Sequence, residues 1–278
     1  MKRIMNTALI VLMAGAATLV AQQKGASKGP MPKSKGESEA VSALIAAQQK
    51  GDADAVITAA ENLVTKYKDT EYRATALYLE AIAYQQKGDK DKMQVYLERT
   101  LAADPKNLQA PLMLSEMTIQ GAREHDLDLN DKLAKAEKYA NDAIANINGA
   151  DKPNPALTDQ QWDEAKKDML AEAHDALGLS ALQRKSYDQA ITEFKTAVDG
   201  AAHPQPAYEV RLASAYQQAG KNDEAITVAE KVMNEQQAPQ QIRSVAQAIR
   251  AQAVVAKNGG KPVNATQPPP QVQIQPKQ

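Results

Sequence analysis

The three histidines are the side chains best suited to acid–base or metal chemistry, and they lie far apart. His125, His174 and His203 sit in separate segments, and none has a partner at a spacing typical of metal ligands. The chain has no cysteine, which excludes thiol nucleophiles, zinc–thiolate sites and disulfide bonds. Glycine-rich phosphate loops, serine elbows and metal-binding helix motifs are also missing from the sequence. We therefore predict no enzymatic activity and no cofactor.

Four oxygen-bearing residues are spaced like part of a calcium-binding loop. Asp126, Asp128, Asn130 and Glu137 occupy the first, third, fifth and twelfth places of such a loop. The sixth place, where the sharp turn requires glycine, holds Asp131. The alternative is an acidic loop whose aspartates cap a helix. We predict no metal site, and we keep calcium binding by these four residues as a hypothesis to test.

A five-residue string that occurs twice indicates which elements hold these side chains. The sequence Gln-Gln-Lys-Gly-Asp at 48–52 returns 37 positions later at 85–89, and a looser copy follows at 217–222. Each copy follows an alanine-rich stretch of helical periodicity and precedes another helical stretch. A period of this length is typical of stacked helix pairs, which build binding surfaces more often than catalytic centres.

The segment that begins at Ala171 carries the clearest repeat. Its seventh, eighth, eleventh, seventeenth, twentieth, twenty-fourth and twenty-seventh places hold Leu177, Gly178, Ala181, Tyr187, Ala190, Phe194 and Ala197. This pattern resembles the tetratricopeptide repeat, a helix pair of 34 residues with small side chains at the eighth, twentieth and twenty-seventh places. Segments that begin at Pro206, Ala74 and Glu37 follow it less closely. The resemblance implies an all-α fold, a right-handed α-solenoid of about five such helix pairs with a C-terminal capping helix.

The predicted solenoid covers residues 37–257 and is interrupted twice. An insertion at 123–131 separates the two helices of the central pair, and a turn-rich linker occupies 148–158. Thr158 and Ser186 each precede a glutamine by three residues, which predicts a capping box at the start of a helix.

The resemblance also predicts where a partner would bind. In tetratricopeptide stacks the first helix of each pair lines a concave groove, chiefly through its second, fifth, ninth, twelfth and thirteenth places. We expect an extended peptide or a helix of another protein to bind there. The alternative is that many of the glutamines are merely solvated helix formers. In this chain the predicted groove consists of Tyr78, Ile82, Gln85, Gln86, Leu112, Glu116, Gln120, Asp175, Leu179, Gln183, Val210, Ser214, Gln217 and Gln218.

The N-terminal segment has the pattern of an export signal. Lys2 and Arg3 precede an apolar run that is shorter than the ~20 residues needed to span a bilayer, so we predict a cleaved signal peptide at 1–21. An uncleaved membrane anchor is the alternative. Without a cysteine the chain cannot be a lipoprotein. We therefore expect a periplasmic or secreted protein without an integral membrane span after signal removal.

The two flanks of the predicted solenoid are basic, although the net charge of the whole chain is −1. We predict a disordered basic linker at 22–36 and a disordered tail rich in proline and glutamine at 258–278. The overall charge is unsuited to a nucleic-acid binder. Because the flanks carry lysines and no acids, an alternative function is attachment to an anionic envelope surface, with the repeats as a spacer.

Overall fold

In the computed structural model, which describes residues 29–154 and 156–259, all regular structure is helical. Eleven helices occur in these ranges, so the predicted all-α class, with five helix pairs and a closing helix, is confirmed. We call the first helix of each pair helix A and the second helix B. The helices are α1 (Lys35–Lys50), α2 (Ala53–Lys66), α3 (Arg73–Gln86), α4 (Lys90–Ala103), α5 (Gln109–Gly121), α6 (Leu129–Asn148), α7 (Asp159–Gln183), α8 (Tyr187–Gly200), α9 (Pro206–Gln218), α10 (Asn222–Asn234) and α11 (Gln240–Lys257).

The chain divides into two compact units. Within the described ranges, unit 1 comprises residues 29–117 together with 142–163, and unit 2 comprises 118–141 together with 164–259. In unit 1 each of α1 to α4 packs against its neighbour in sequence. In unit 2 α9 packs against α8, α10 and α11, so that α9 lies between the preceding pair and the closing helix.

A left-handed residue ends helix A in four of the five pairs. Gly51, Gly88 and Gly220 have φ of +69°, +74° and +74°, and Lys185 has φ of +60° at the same place of its repeat. In each turn the following amide donates to the carbonyl five residues earlier, at 3.4, 3.0, 2.9 and 2.9 Å for residues 52, 89, 221 and 186. This bond satisfies a helix-end carbonyl, and the left-handed residue that makes it possible favours glycine. The repeated glycine of the sequence is therefore the turn between helix A and helix B.

The residue after this turn starts helix B, with or without a side-chain cap. The carboxylate of Asp52 accepts a hydrogen bond from the amide of Ala55 at 3.0 Å, and Asp89 does the same for α4. Ser186 makes no side-chain cap bond, so the capping box predicted there is wrong. The box at Thr158 is confirmed, because its hydroxyl accepts from the amide of Gln161 at 3.1 Å and the Gln161 side chain accepts in return at 2.9 Å.

The eighth place of helix A and the twenty-fourth place of helix B are buried, and at least one of the two residues is small. Phe194 is fully buried against Gly178, and a Cβ atom built on that glycine would lie 2.6 Å from two ring carbons. The other pairs place a leucine opposite an alanine, or two alanines, at these places. All are at most 2% exposed: Leu44 with Ala60, Ala81 with Leu97, and Ala213 with Ala229.

Lysines tie three of the B helices, α2, α8 and α10, to the next helix in the chain. Asp54, Asp188 and Asp223 occupy the same place in the first turn of α2, α8 and α10, where an acidic side chain suits the helix dipole. Lys221 binds Asp188 at 2.7 Å, and Lys87 and Lys257 bind Asp54 and Asp223 in the same way. Each of these lysines lies within two residues of a left-handed glycine. These glycines are Gly88, Gly220 and Gly259, the last of which follows α11 and has φ of +75°.

The ends of the solenoid and its interruptions differ in detail from the prediction. Residues 29–34, predicted as disordered linker, lie against the turn between α2 and α3, and α1 begins at Lys35. The hydroxyl of Tyr72 donates to the carbonyl of Pro30 at 2.7 Å, and Lys33 binds Asp69 at 3.1 Å. The insertion is shorter than predicted, because α6 already begins at Leu129. The signal peptide at 1–21, the linker residues before 29 and the tail beyond 259 lie outside the described residues.

Candidate functional site

In unit 1 the predicted groove residues divide into buried and accessible ones. Ile82 and Gln85 are half-buried and Gln86 is exposed, one to two turns further along α3 than Tyr78. Tyr78 itself is buried at 8% exposure, and its hydroxyl lies 3.7 Å from the sulfur of Met113. On α5, Leu112 is buried and Glu116 is exposed. The accessible part of this surface is therefore the C-terminal half of α3 with Glu116.

In unit 2 the same division recurs on α7 and α9. Leu179, Gln183, Gln217 and Gln218 are half-buried, and Gln120 is exposed. The Gln183 side chain donates to the carbonyl of Ile119 at 3.2 Å, and the Gln218 side chain donates to the hydroxyl of Ser214 at 3.1 Å. Val210, Ser214 and Asp175 are buried, at 1%, 8% and 5% exposure.

Five of the predicted groove residues thus belong to the packed interior, and nine can be reached from solvent. The buried ones lie at the fifth place of helix A, or at the ninth place in the case of Ser214, where a neighbouring helix covers them. A contact partner can touch only the accessible set, which consists of Ile82, Gln85, Gln86, Glu116, Gln120, Leu179, Gln183, Gln217 and Gln218.

Asp175 forms a buried ion pair that the sequence reasoning missed. Arg211 on α9 donates to its carboxylate, and the side chains of both residues are largely buried. The pKa of the neighbouring Tyr208 is raised, mainly by burial and further by the charges of Asp175 and Glu172. Removing one partner of a buried pair strands the other charge and typically costs about 3–5 kcal/mol. The signal that could have revealed the pair is an arginine within the apolar pattern of α9, 36 positions after the aspartate.

The four candidate calcium ligands do not converge on one point. The ammonium of Lys132 lies 2.7 Å from Asp126 and 2.9 Å from Asp128, and its hydrogen bond lowers the pKa of Asp126. Asn130 and Glu137 instead accept hydrogen bonds from Arg184, at 3.1 and 2.8 Å. Within the described ranges no three acidic or histidine side chains form a group that could hold a metal ion. Lys132 and Arg184 therefore already bind the oxygens that a calcium ion would need.

The histidines make local structural contacts. His174 Nδ1 lies 2.8 Å from Glu193, and this contact joins α7 to α8 within one pair. His203 Nδ1 lies 2.6 Å from one carboxylate oxygen of Asp168, and the backbone amide of His203 donates a hydrogen bond to the other oxygen at 2.8 Å. The side-chain hydrogen bond raises the pKa of His203. His174 therefore joins α7 to α8, and His203 joins the loop between α8 and α9 to α7.

The helices of residues 29–154 and 156–259 include none with the length and apolar character to cross a membrane.

Comparison with known proteins supports the repeat assignment for two segments. Residues 74–107 and 210–238 match the sequence model of the family described as tetratricopeptide repeat. A thermophilic tetratricopeptide repeat protein from Thermus thermophilus is similar in structure, with 20% sequence identity and a TM-score of 0.48 over 77% of this chain and 98% of the other. No curated protein gives a significant match. Tetratricopeptide repeats generally mediate protein–protein interactions, and the two matched segments of this chain are similar to such repeats.

Proposed function

We propose that the protein is a non-catalytic scaffold of the bacterial cell envelope that binds a peptide or a helix of another protein on its A helices. The observation that carries this proposal is a set of glutamine side chains at the ends of these helices. The side-chain amides of Gln85, Gln86 and Gln217 make no hydrogen bond within the described part of the chain, and all three side chains are accessible.

The side-chain amides can pair with the peptide groups of a bound chain. A glutamine side chain both donates and accepts hydrogen bonds, as a peptide unit does. Ile82 is half-buried one turn from Gln85 and Gln86, and Leu179 is half-buried one turn from Gln183, so both A helices offer apolar contact. An extended segment or an amphipathic helix could satisfy both kinds of group at once.

Crosslinking in intact cells tests the binding surface directly. A photoreactive phenylalanine at Gln86 or Gln217 is expected to capture the same protein in high yield. The matched controls are Gln94 and Gln189, two exposed glutamines on B helices. Equal capture from the control positions, or no capture from Gln86 and Gln217, would remove the support for a specific surface.

The envelope location is proposed from the N-terminal pattern of charge and hydrophobicity. N-terminal sequencing of the mature protein from an envelope fraction is expected to show that residues 1–21 are gone. A mature protein that starts at Met1 would contradict the cleaved signal and leave the anchor as the better hypothesis.

The rival function, attachment through basic flanks, predicts a different dependence on salt. Of the N-terminal lysines, Lys33 already binds Asp69 and Lys35 lies 3.9 Å from Glu39, so these two are partly neutralised by the chain itself. Attachment by the remaining lysines should weaken steeply as salt rises, because exposed charges are screened over about 10 Å at about 0.1 M. Binding through glutamines and apolar side chains should change little under the same conditions.

A further inference from the structure

Glu80 is a completely buried carboxylic acid in the middle of α3. Its exposure is 0%, and neither carboxyl oxygen has a hydrogen-bond partner of normal geometry in the described ranges. The equivalent seventh place holds Leu177 in the repeat from Ala171 and Leu212 in the repeat from Pro206. A buried carboxylate without compensating partners is far less stable than in water, so this site favours the protonated form.

The groups around Glu80 come from the two helices packed against α3. Glu61 on α2 adds a second negative charge, whereas Tyr96 and Arg99 on α4 offer a hydroxyl and a positive charge. Burial raises the pKa of Glu80 most, the Tyr96 hydroxyl lowers it, the charge of Glu61 raises it and that of Arg99 lowers it; together these effects bring the pKa to about 7. The pKa of Tyr96 is raised to about 12, mainly by burial, so this residue stays a neutral phenol at physiological pH.

The aromatic side chains over Glu80 couple α3 to α4. The rings of Tyr84 and Tyr96 stack with their centroids 5.2 Å apart, and Arg99 lies 4.7 Å from the centroid of Tyr96. Because Glu80 is fully buried, a charge on its carboxyl can regain water only if the packing around it opens locally. The packing of α2, α3 and α4 around Glu80 therefore depends on whether its carboxyl carries a proton.

We propose that Glu80 is a pH-sensitive latch that keeps α4 packed on α3 while its carboxyl is protonated and loosens this packing when it ionises. The proton leaves to solvent and no other bond changes. The folded pKa lies above the value of 4.5 for a free glutamate. The stabilising effect is therefore complete below about 4.5 and is lost as the pH rises through about 7.

This latch lies beside the accessible surface of α3. Ile82, Gln85 and Gln86 follow Glu80 on the same helix, so loosening of α3 would change how they are presented. This link to binding depends on the proposed function, whereas the latch itself does not. An experiment without any partner therefore tests the latch separately.

Hydrogen exchange on the full chain, corrected for intrinsic rates, measures local opening. Between about pH 5 and about pH 8 the protection of amides in α3 and α4 should fall by roughly tenfold or more, while that of α9 and α10 stays nearly constant. Glu80→Gln should abolish the difference between the two pH values, since the amide cannot ionise. Glu98→Gln on α4 is the matched control and should retain the fall in protection.

Glu80→Leu, which introduces the residue type found at this place in the repeats from Ala171 and Pro206, gives a second measurement should the glutamine variant fail to fold. It is expected to raise protection in α3 and α4 at the higher pH and to remove its pH dependence. A wild-type protein with pH-independent protection, or a Glu80→Leu variant that still loses protection on raising the pH, would overturn the proposal.

Discussion

The α3–α4 pair and the α7–α8 pair occupy the same repeat places with different residues. Where the first pair packs Ala81 with Leu97, the second packs Gly178 with Phe194, and all four residues are buried. A small side chain on helix A thus faces a large one on helix B in both pairs, although the extremes are wider in the second. In these two pairs a smaller residue on helix A thus accompanies a larger one on helix B, whereas the α9–α10 pair has alanine at both places.

The turns of the two pairs differ as well. Gly88 and Lys185 adopt the same left-handed conformation, and the next residue starts helix B as Asp89 or Ser186. Asp89 caps its helix through its carboxylate, whereas Ser186 does not use its hydroxyl in this way. The α7–α8 pair therefore combines a tighter core contact with a weaker turn, so its stability should depend more on packing and less on local backbone preference.

The largest effect is expected from the core contact. Gly178→Ala places a methyl group 2.6 Å from the ring of Phe194, which is fully buried and has no room to move. Such overpacking costs about 1–3 kcal/mol. Adding Phe194→Leu recreates the alanine–leucine combination of α3–α4 and should recover much of this loss. Urea unfolding of both single variants and the double variant measures the coupling.

Strictly additive losses in these three variants would contradict volume compensation between the eighth and twenty-fourth places. Ala81→Gly is the matched control in the other pair. It should destabilise as a helix-interior glycine does, by about 1 kcal/mol, with an added loss for the gap beside Leu97.

The next effect concerns the turn. Lys185→Gly should raise the free energy of unfolding by about 0.5–1 kcal/mol, because the left-handed region is strained for a side chain and not for glycine. The lost contact of Lys185 with Glu124 at 3.1 Å is exposed and contributes little. Gly88→Ala should change stability by a similar amount in the opposite direction. Thermal unfolding of both variants provides the measurement.

Lys185→Ala separates the charge from the backbone. This variant removes the ammonium and keeps a Cβ atom, so it should not be stabilised. If it gains as much as Lys185→Gly, the explanation based on the left-handed backbone is wrong.

The smallest effect is expected at the cap. Ser186→Asp places at α8 the side chain that caps α4 and should stabilise the chain by roughly 0.5 kcal/mol. Ser186→Ala should leave stability nearly unchanged, because the serine hydroxyl makes no cap bond to lose. A clear loss in the alanine variant, by chemical denaturation, would show that the hydroxyl has a role beyond the contacts described.

Local features of the fold were predictable from sequence, and contacts between distant segments were not. The glycine at the helix A to helix B turn could be identified because its conformation depends on the residues beside it. The capping box at Thr158 is local in the same way. Ser186 has the same pattern without the bond, so the pattern permits a cap but does not require one.

The candidate binding residues show the limit of this reasoning. Gln86 is exposed and Gln217 is half-buried, and both lie at the end of a helix A. Tyr78 and Asp175 are buried, since each is covered by a side chain about one period further along, Met113 or Arg211. The contacts of the calcium-like residues also depend on distant segments, because the position of Arg184 next to Glu137 follows only from the fold.

The closing helix α11 ends as a helix A does. Its last amides repeat the bonds before Gly220: Asn258 donates to the carbonyl of Val254 at 3.1 Å and Gly259 to that of Ala256 at 3.2 Å. Gly259 has the same left-handed φ, and Lys257 binds Asp223 of the helix before it. The same joint therefore recurs near Gly88, Gly220 and Gly259. Duplication of one helix pair could lengthen the array at such a boundary, because the left-handed glycine and the lysine–aspartate contact would form again with the added pair.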